Sequence, residues 1–166
     1  MDLLAQEIDD RVILLALAVG RREVNTVLTL LSQAFAAEGA AVVLASRTKS
    51  AVDEAVHLIE SQGGRASGMP VDVADLAQTK ALAELAIKKF GRLDIWVNNA
   101  GWDRVAPFLS SGPADWEKVV GINLMGVVHG TYSALEAMID LIAIDAGGAP
   151  ALVERPRAVF DVCSSP

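Results

Sequence analysis

Residues 94–103 read DIWVNNAGWD: an apolar run through Val97, two adjacent carboxamides at Asn98 and Asn99, then Ala100 and Gly101. A short apolar strand ending on two amides suits the edge of a buried sheet. The amides supply donors and acceptors where the chain leaves the strand, and the small residues keep the surface low enough for a nucleotide to sit on it. An Asn-rich turn would also use Gly101, so the meaning of the stretch depends on its surroundings.

Those surroundings alternate in period. Val12–Val19, Ala41–Ala45, Gly68–Val73, Leu93–Val97 and Ala158–Val162 read as short apolar strands, the third weakened by Pro70. Helical patterns separate them. The first runs from about Arg22 to Glu38-Gly39. The second runs from Ser50, where Asp53 three residues on resembles a capping box, to Gly63-Gly64, and the third from an Asp75/Gln78 cap to Gly91. Pro113 opens a long helix through about Ile139, and Asp140–Arg157, carrying Gly147, Gly148, Pro150 and Pro156, reads as loop. Strands alternating with helices of ten or more residues imply right-handed crossovers. The expected fold is therefore α/β, a doubly wound parallel sheet of about five strands in one domain over residues 1–166.

Composition narrows the function classes. The 166 residues are 52% hydrophobic with a mean hydropathy of +0.39, which argues against a disordered chain and for elements apolar on more than one face. The net charge is -7 with the basic residues scattered, so neither a nucleic acid nor an anionic membrane is an expected partner. Val12–Val19 is too short to span a bilayer, which needs roughly 20 residues. Asp2, Glu7, Asp9 and Asp10 precede it where a secretory signal needs positive charge. Cys163 is the sole cysteine, which leaves no internal disulfide or thiolate metal cluster and fits the cytoplasm. His57 and His129 stand alone on helices without a second ligand at metal spacing, so structural or solvated roles are expected, and no metal.

In a doubly wound sheet, ligands lie beyond the carboxyl ends of the strands, where strand order reverses. After strand one, AVGRREVNTVL (18–28) holds Gly20 but no G-x-G-x-x-G; Arg21 and Arg22 either contact phosphate or belong to a solvated turn. After strand two come Ser46 and Arg47. A hydroxyl beside an arginine suits a ribose 2′-phosphate, although an arginine in a turn needs no ligand. Asp72, after strand three, meets an adenine amino group or caps a turn. On the long helix, Trp116, Val119, Val120, Asn123, Val127, Gly130 and Ala134 fall along one stripe. A buried, unpartnered amide costs roughly 1–3 kcal/mol, so Asn123 is expected to have a specific partner, structural or catalytic. Gly121, Gly126 and Gly130 each cost about 1 kcal/mol against alanine in a helix and point to a bend or close backbone contact there. Trp96, Trp102 and Trp116 read as core or crevice wall.

Taken together, GRLDIWVNNAG (91–101) and DWEKVVGINLMGVVHGT (115–131), with AAEGAAVVLASRT (36–48) and VDVAD (71–75), resemble the short-chain dehydrogenase/reductase family over roughly Ala36 to Ala137. The resemblance implies a Rossmann-like sheet and reversible hydride transfer between a nicotinamide and a carbonyl or alcohol of a small molecule. It places Asn98, Asn99, Ala100 and Gly101 on the cofactor side, with Gly20 in the phosphate loop. It sets Asp72 against adenine with Val73 beside it, and makes Ser46 and Arg47 favour NADP(H) over NAD(H). Asn123 would be the asparagine that holds a proton-relay water, and AVFDVCSS (158–165) would end in the active-site serine, Ser165. The NNAGWD continuation with Pro107-Phe108 is similar to members acting on cyclic or acyl-CoA-linked hydroxy compounds. Family members commonly form homo-oligomers through the helix that carries Asn123.

Two departures qualify the implication. The glycine-rich loop is degenerate, and the Tyr-x-x-x-Lys motif is absent: Tyr132 is followed four residues later by Glu136. The sequence is thus expected to hold the nucleotide half of such a fold, incomplete before that motif and inactive or impaired alone. The alternative is a non-catalytic nucleotide-binding or assembly protein derived from the family.

Overall fold

Ala41–Ser46 (β2) is buried at every position. A strand covered on both faces requires this, and it explains why AVVLAS shows no polar alternation. The structure, a computed structural model, describes residues 12–16, 22–145 and 158–161. The other strands are Val12–Ala16 (β1), Arg65–Pro70 (β3), Ile95–Asn98 (β4) and Ala158–Asp161 (β5). The helices are Arg22–Ala37 (α1), Lys49–Ser61 (α2), Leu76–Phe90 (α3), Pro113–Val120 (α4) and Gly126–Asp145 (α5), the last two joined by a π turn at Gly121–Met125. The five strands are ordered β3-β2-β1-β4-β5 and every pairing is parallel. Strand order reverses between β1 and β4, the switch point of a doubly wound sheet.

Alternate residues of β2 feed two cores. Ala41, Val43 and Ala45 join Leu82, Ala83 and Ala86 of α3, Trp96 of β4, and Ala134 and Met138 of α5. Val42 and Leu44 turn the other way, to Val52 and Ile59 of α2. Period two in the strand thus puts helices on both faces of the sheet.

Four expectations need correction. β3 begins at Arg65, three residues before the predicted start, and ends at Pro70. As an edge strand it needs no apolar run, and proline is tolerated at its end. Gly68 sits mid-strand because a Cβ there would lie 2.5 Å from Val52 Cγ1 and 2.6 Å from the Leu44 carbonyl oxygen. The Ser50/Asp53 box does not form: α2 starts at Lys49 after Thr48, and Asp53 accepts from Lys49 Nζ at 2.6 and 2.8 Å instead. Helix continues through Asp145, so residues 140–145 are not loop. Finally, the single stripe on the long helix is broken. Trp116 and Val120 are exposed whereas Gly130 and Ala134 are buried, because a π turn takes an extra residue and rotates everything that follows.

The cap of α3 matches the reading. Asp75 accepts from the Ala77 and Gln78 N–H groups, Gln78 Nε2 donates to Asp75 Oδ2 at 2.8 Å, and Gly91, at φ +78°, closes the other end. The Gln78 amide, then the Ala77 N–H, hold the Asp75 carboxyl below its ordinary value of 3.8. A lowered folded-state value contributes stability above the ordinary carboxylate range and loses it as pH falls through the lowered value. Asp75→Ala is therefore expected to melt below the parent at neutral pH, with the gap closing as pH drops below 3.8. Thermal melts across that range check it, and a pH-independent gap would count against a charge-based cap.

Candidate functional site

Strand register sets the site. Met69, Ala45, Ala16, Asn98 and Asp161 form one row across the sheet. Beyond that row, at the carboxyl ends, the chain places Ser46 and Arg47, then Asp72 and Val73, then Asn99, Ala100 and Gly101. Seven of the sequence-predicted site residues therefore share one edge. Gly20 and Ser165 lie outside the described residues.

Asn98 stands at the switch point, paired with Ala16 of β1 on one side and Asp161 of β5 on the other. Its Oδ1 accepts from Trp96 Nε1 at 2.7 Å and its Nδ2 donates to Thr131 Oγ1 at 3.1 Å. Sequence reasoning missed both partners, yet one signal was present. Residues two apart in a strand share a face, and a buried indole N–H needs an acceptor. Gly130 makes room for this pair, since a Cβ there would lie 2.8 Å from Trp96 Nε1.

Asn99 is only 5% exposed, and its carboxamide makes no hydrogen bond among the described residues. Leaving such a group unpaired costs roughly 1–3 kcal/mol, a cost that a ligand can relieve. Ser46, also buried, accepts from the Thr48 N–H at 3.3 Å. Asp72 Oδ1 caps the Ala74 N–H at 3.0 Å while its own N–H donates to Gln78 Oε1 at 2.8 Å, so the turn-capping role is realised. Ala100 packs against the core beneath this edge.

Asn123 lies in the π turn and is exposed. The expected specific partner is the Trp102 backbone, whose N–H donates to Oδ1 at 2.8 Å and whose carbonyl accepts from Nδ2 at 3.0 Å. The amide thus behaves like a strand neighbour and ties the segment after Gly101 to the long helix. Gly121 and Gly126 bracket the π turn, and of the two readings of these glycines close contact is realised at Gly126 and Gly130, against Val73 and Trp96. Trp96 is core and Trp102 packs against it, whereas Trp116 is an exposed ring stacked on Phe108 at 5.4 Å.

Tyr132 lies on the side of α5 opposite Gly130, half exposed, with its hydroxyl 3.4 Å from Glu136 Oε1 and Lys80 Nζ 4.9 Å from its ring. The Lys80–Glu136 pair, 2.9 Å apart, holds the glutamate low and the lysine high. The cluster includes none of the carboxyl-edge residues. Among the described residues no group of histidine, cysteine and carboxylate side chains could hold a metal ion, and no helix is long and apolar enough to cross a membrane.

A sequence model of the short chain dehydrogenases matches residues 29–148, from the second half of α1 through α5. The chain belongs to the short-chain dehydrogenase family. Among similar members, a 3beta-hydroxysteroid dehydrogenase of Eggerthella lenta is 35% identical over 111 residues, covering 66% of this chain and 42% of that protein. A meso-2,3-butanediol dehydrogenase of Serratia marcescens is 34% identical over 105 residues, covering 63% and 41%. The chain therefore spans about two fifths of the length of either relative. A solved member from Burkholderia phymatum, in complex with NAD, superposes with a TM-score of 0.69 at 28% identity, covering 81% of this chain and 46% of that one. The Asn99 amide, without a hydrogen bond among the described residues, the low surface at Ala100-Gly101 and the polar pair Ser46-Arg47 fit a dinucleotide lying along this edge.

Proposed function

We propose that the chain binds a nicotinamide dinucleotide, NADP(H) in preference to NAD(H), and forms the nucleotide half of an oxidoreductase acting on a carbonyl or alcohol of a small molecule. The observation that carries the reading is the convergence of Asn98–Gly101, Ser46-Arg47 and Asp72-Val73 on the carboxyl edge of one parallel sheet, at its switch point. In this reading Asn99 and the Ala100-Gly101 step receive the ribose, Ser46 and Arg47 receive the 2′-phosphate, and Asp72 with Val73 borders the adenine. Gly20 belongs to the phosphate loop. When bound, the nicotinamide would supply the hydride chemistry. Asn123 and Ser165 would orient substrate and water, and Asn123 already has its amide fixed by Trp102.

Turnover by these 166 residues alone is expected to be low, since they contain no Tyr-x-x-x-Lys and Tyr132 is committed elsewhere. Self-association is part of the proposal, with a cytoplasmic setting. Leu124, Val128, Tyr132, Leu135 and Ile139 form an exposed stripe along the outer side of the long helix, and a second copy would cover it. Light scattering tests that point: a monomer at high concentration argues against it.

Titration with NADPH and NADH, followed by fluorescence or calorimetry, tests the main reading. NADPH is expected to bind more tightly, and Arg47→Glu to weaken NADPH by about tenfold, the worth of one charge-assisted hydrogen bond, while sparing NADH. Binding of neither nucleotide would defeat the proposal.

A further inference from the structure

We infer that His129 is a positioning residue for the adenine end of the nucleotide site. The inference rests on the nucleotide reading above and adds to it a residue from outside the crest. The turn Val71–Asp75 leaves β3 at the carboxyl edge and carries Asp72 and Val73. Most of its hydrogen bonds are local or run to the neighbouring strand. The Val71 N–H donates to the Ser46 carbonyl at 2.9 Å, the Asp75 N–H donates to the Asp72 carbonyl at 3.0 Å, and the Asp72 N–H goes to Gln78. The Val73 carbonyl is held differently. It meets His129 Nδ1, on the long helix 56 residues away, at 3.1 Å. A carbonyl only accepts, so Nδ1 carries the proton.

Two further contacts make that bond structural rather than incidental. Gly126, one turn earlier, touches the same residue: a Cβ there would lie 2.7 Å from Val73 Cγ2. Glycine thus lets α5 approach closely enough for the imidazole to reach. Ser133, one turn later, donates to the His129 carbonyl at 2.8 Å, and its hydroxyl lies 2.9 Å from that of Thr79 in α3. Helix α5 therefore grips the turn at the Val73 side chain and carbonyl, and grips the helix that follows the turn. Val73 is 3% exposed, so water does not readily replace the imidazole. Without His129 the turn relaxes, and the nucleotide must order it again on binding.

His129→Ala is expected to raise the Kd of the 166-residue chain for NADPH and for 5′-AMP roughly tenfold, leaving nicotinamide mononucleotide unaffected. His129→Asn is expected to restore both, because its amide nitrogen hangs from Cγ as Nδ1 does. Hydrogen exchange on the nucleotide-free chain gives an independent readout: the Val73 and Ala74 amides exchange faster in the alanine variant and recover in the asparagine variant. Unchanged exchange, or equal losses for 5′-AMP and nicotinamide mononucleotide, overturns the inference. If exchange responds but the parent chain binds none of the three nucleotides, the nucleotide reading itself falls and His129 is a brace of the fold alone.

Discussion

Trp96→Ala is expected to remove about 4 kcal/mol of folding stability, within the range for deleting a large buried ring. The side chain is fully enclosed in β4, against the core shared by α3 and α5. Its loss opens a cavity where two layers meet, and rigid strand neighbours fill it only in part. Asn98 Oδ1 also loses the indole donor at 2.7 Å. A domain of this kind holds only about 5–15 kcal/mol in total, so much of the population approaches unfolding under mild denaturation. Trp96→Phe separates the two effects. Phenylalanine keeps most of the apolar volume but offers no N–H, and is expected to cost about 1–2 kcal/mol. Urea denaturation measures both: the midpoint falls while the slope holds. An alanine variant within about 1 kcal/mol of the parent would mean that this ring is not a core element.

Gly130→Ala carries the second large effect, and its sign follows from two opposed magnitudes. In an unobstructed helix, alanine is favoured over glycine by about 1 kcal/mol. Here the added Cβ would lie 2.8 Å from Trp96 Nε1 and 3.2 Å from its Cε2, and closer still to Asn98 Oδ1. Neither neighbour is a flexible tip, since both are buried and hydrogen-bonded to each other. Overpacking of this kind costs about 3 kcal/mol, so a net loss of about 2 kcal/mol is expected. Gly121→Ala is the control. Its nearest atom is Ala74 Cβ at 3.9 Å, so that variant is expected to be neutral or slightly more stable. Combining Trp96→Phe with Gly130→Ala should cost less than the sum of the two, because the freed Asn98 amide can turn aside. Strict additivity in chemical denaturation would show that the three residues are not one packed unit.

The same residues show how far sequence carries. The α3 cap was readable because Asp75 and Gln78 are three residues apart and satisfy orphan N–H groups of the first turn, a purely local requirement. The end of β4 was readable to within one residue, Asn98 in place of Val97, although the strand starts at Ile95 and not Leu93: an apolar run closed by two amides and a glycine states roughly where the strand stops. β3 was misplaced because an edge strand has one uncovered side, so Arg65-Ala66-Ser67 carries no apolar signature although it pairs with Ala41–Val43. The stripe on the long helix failed for a different reason. Counting at 3.6 residues per turn assumes an unbroken helix, and one π turn at Gly121–Met125 shifts the phase. The three glycines signalled an irregularity without giving its form.

By itself, the sequence determined the alternation of strands and helices, the parallel sheet it implies, and the residues that follow each strand, because periodicity and capping act over a few residues. Only the tertiary structure decided the partners: Asn123 with Trp102 across 21 residues, Asn98 with Thr131 across 33, and His129 with Val73 across 56. Those bonds depend on how closely one helix packs against the sheet. That approach is set by the combined volumes of side chains far apart in the chain, such as Trp96 against Gly130, which no local pattern encodes.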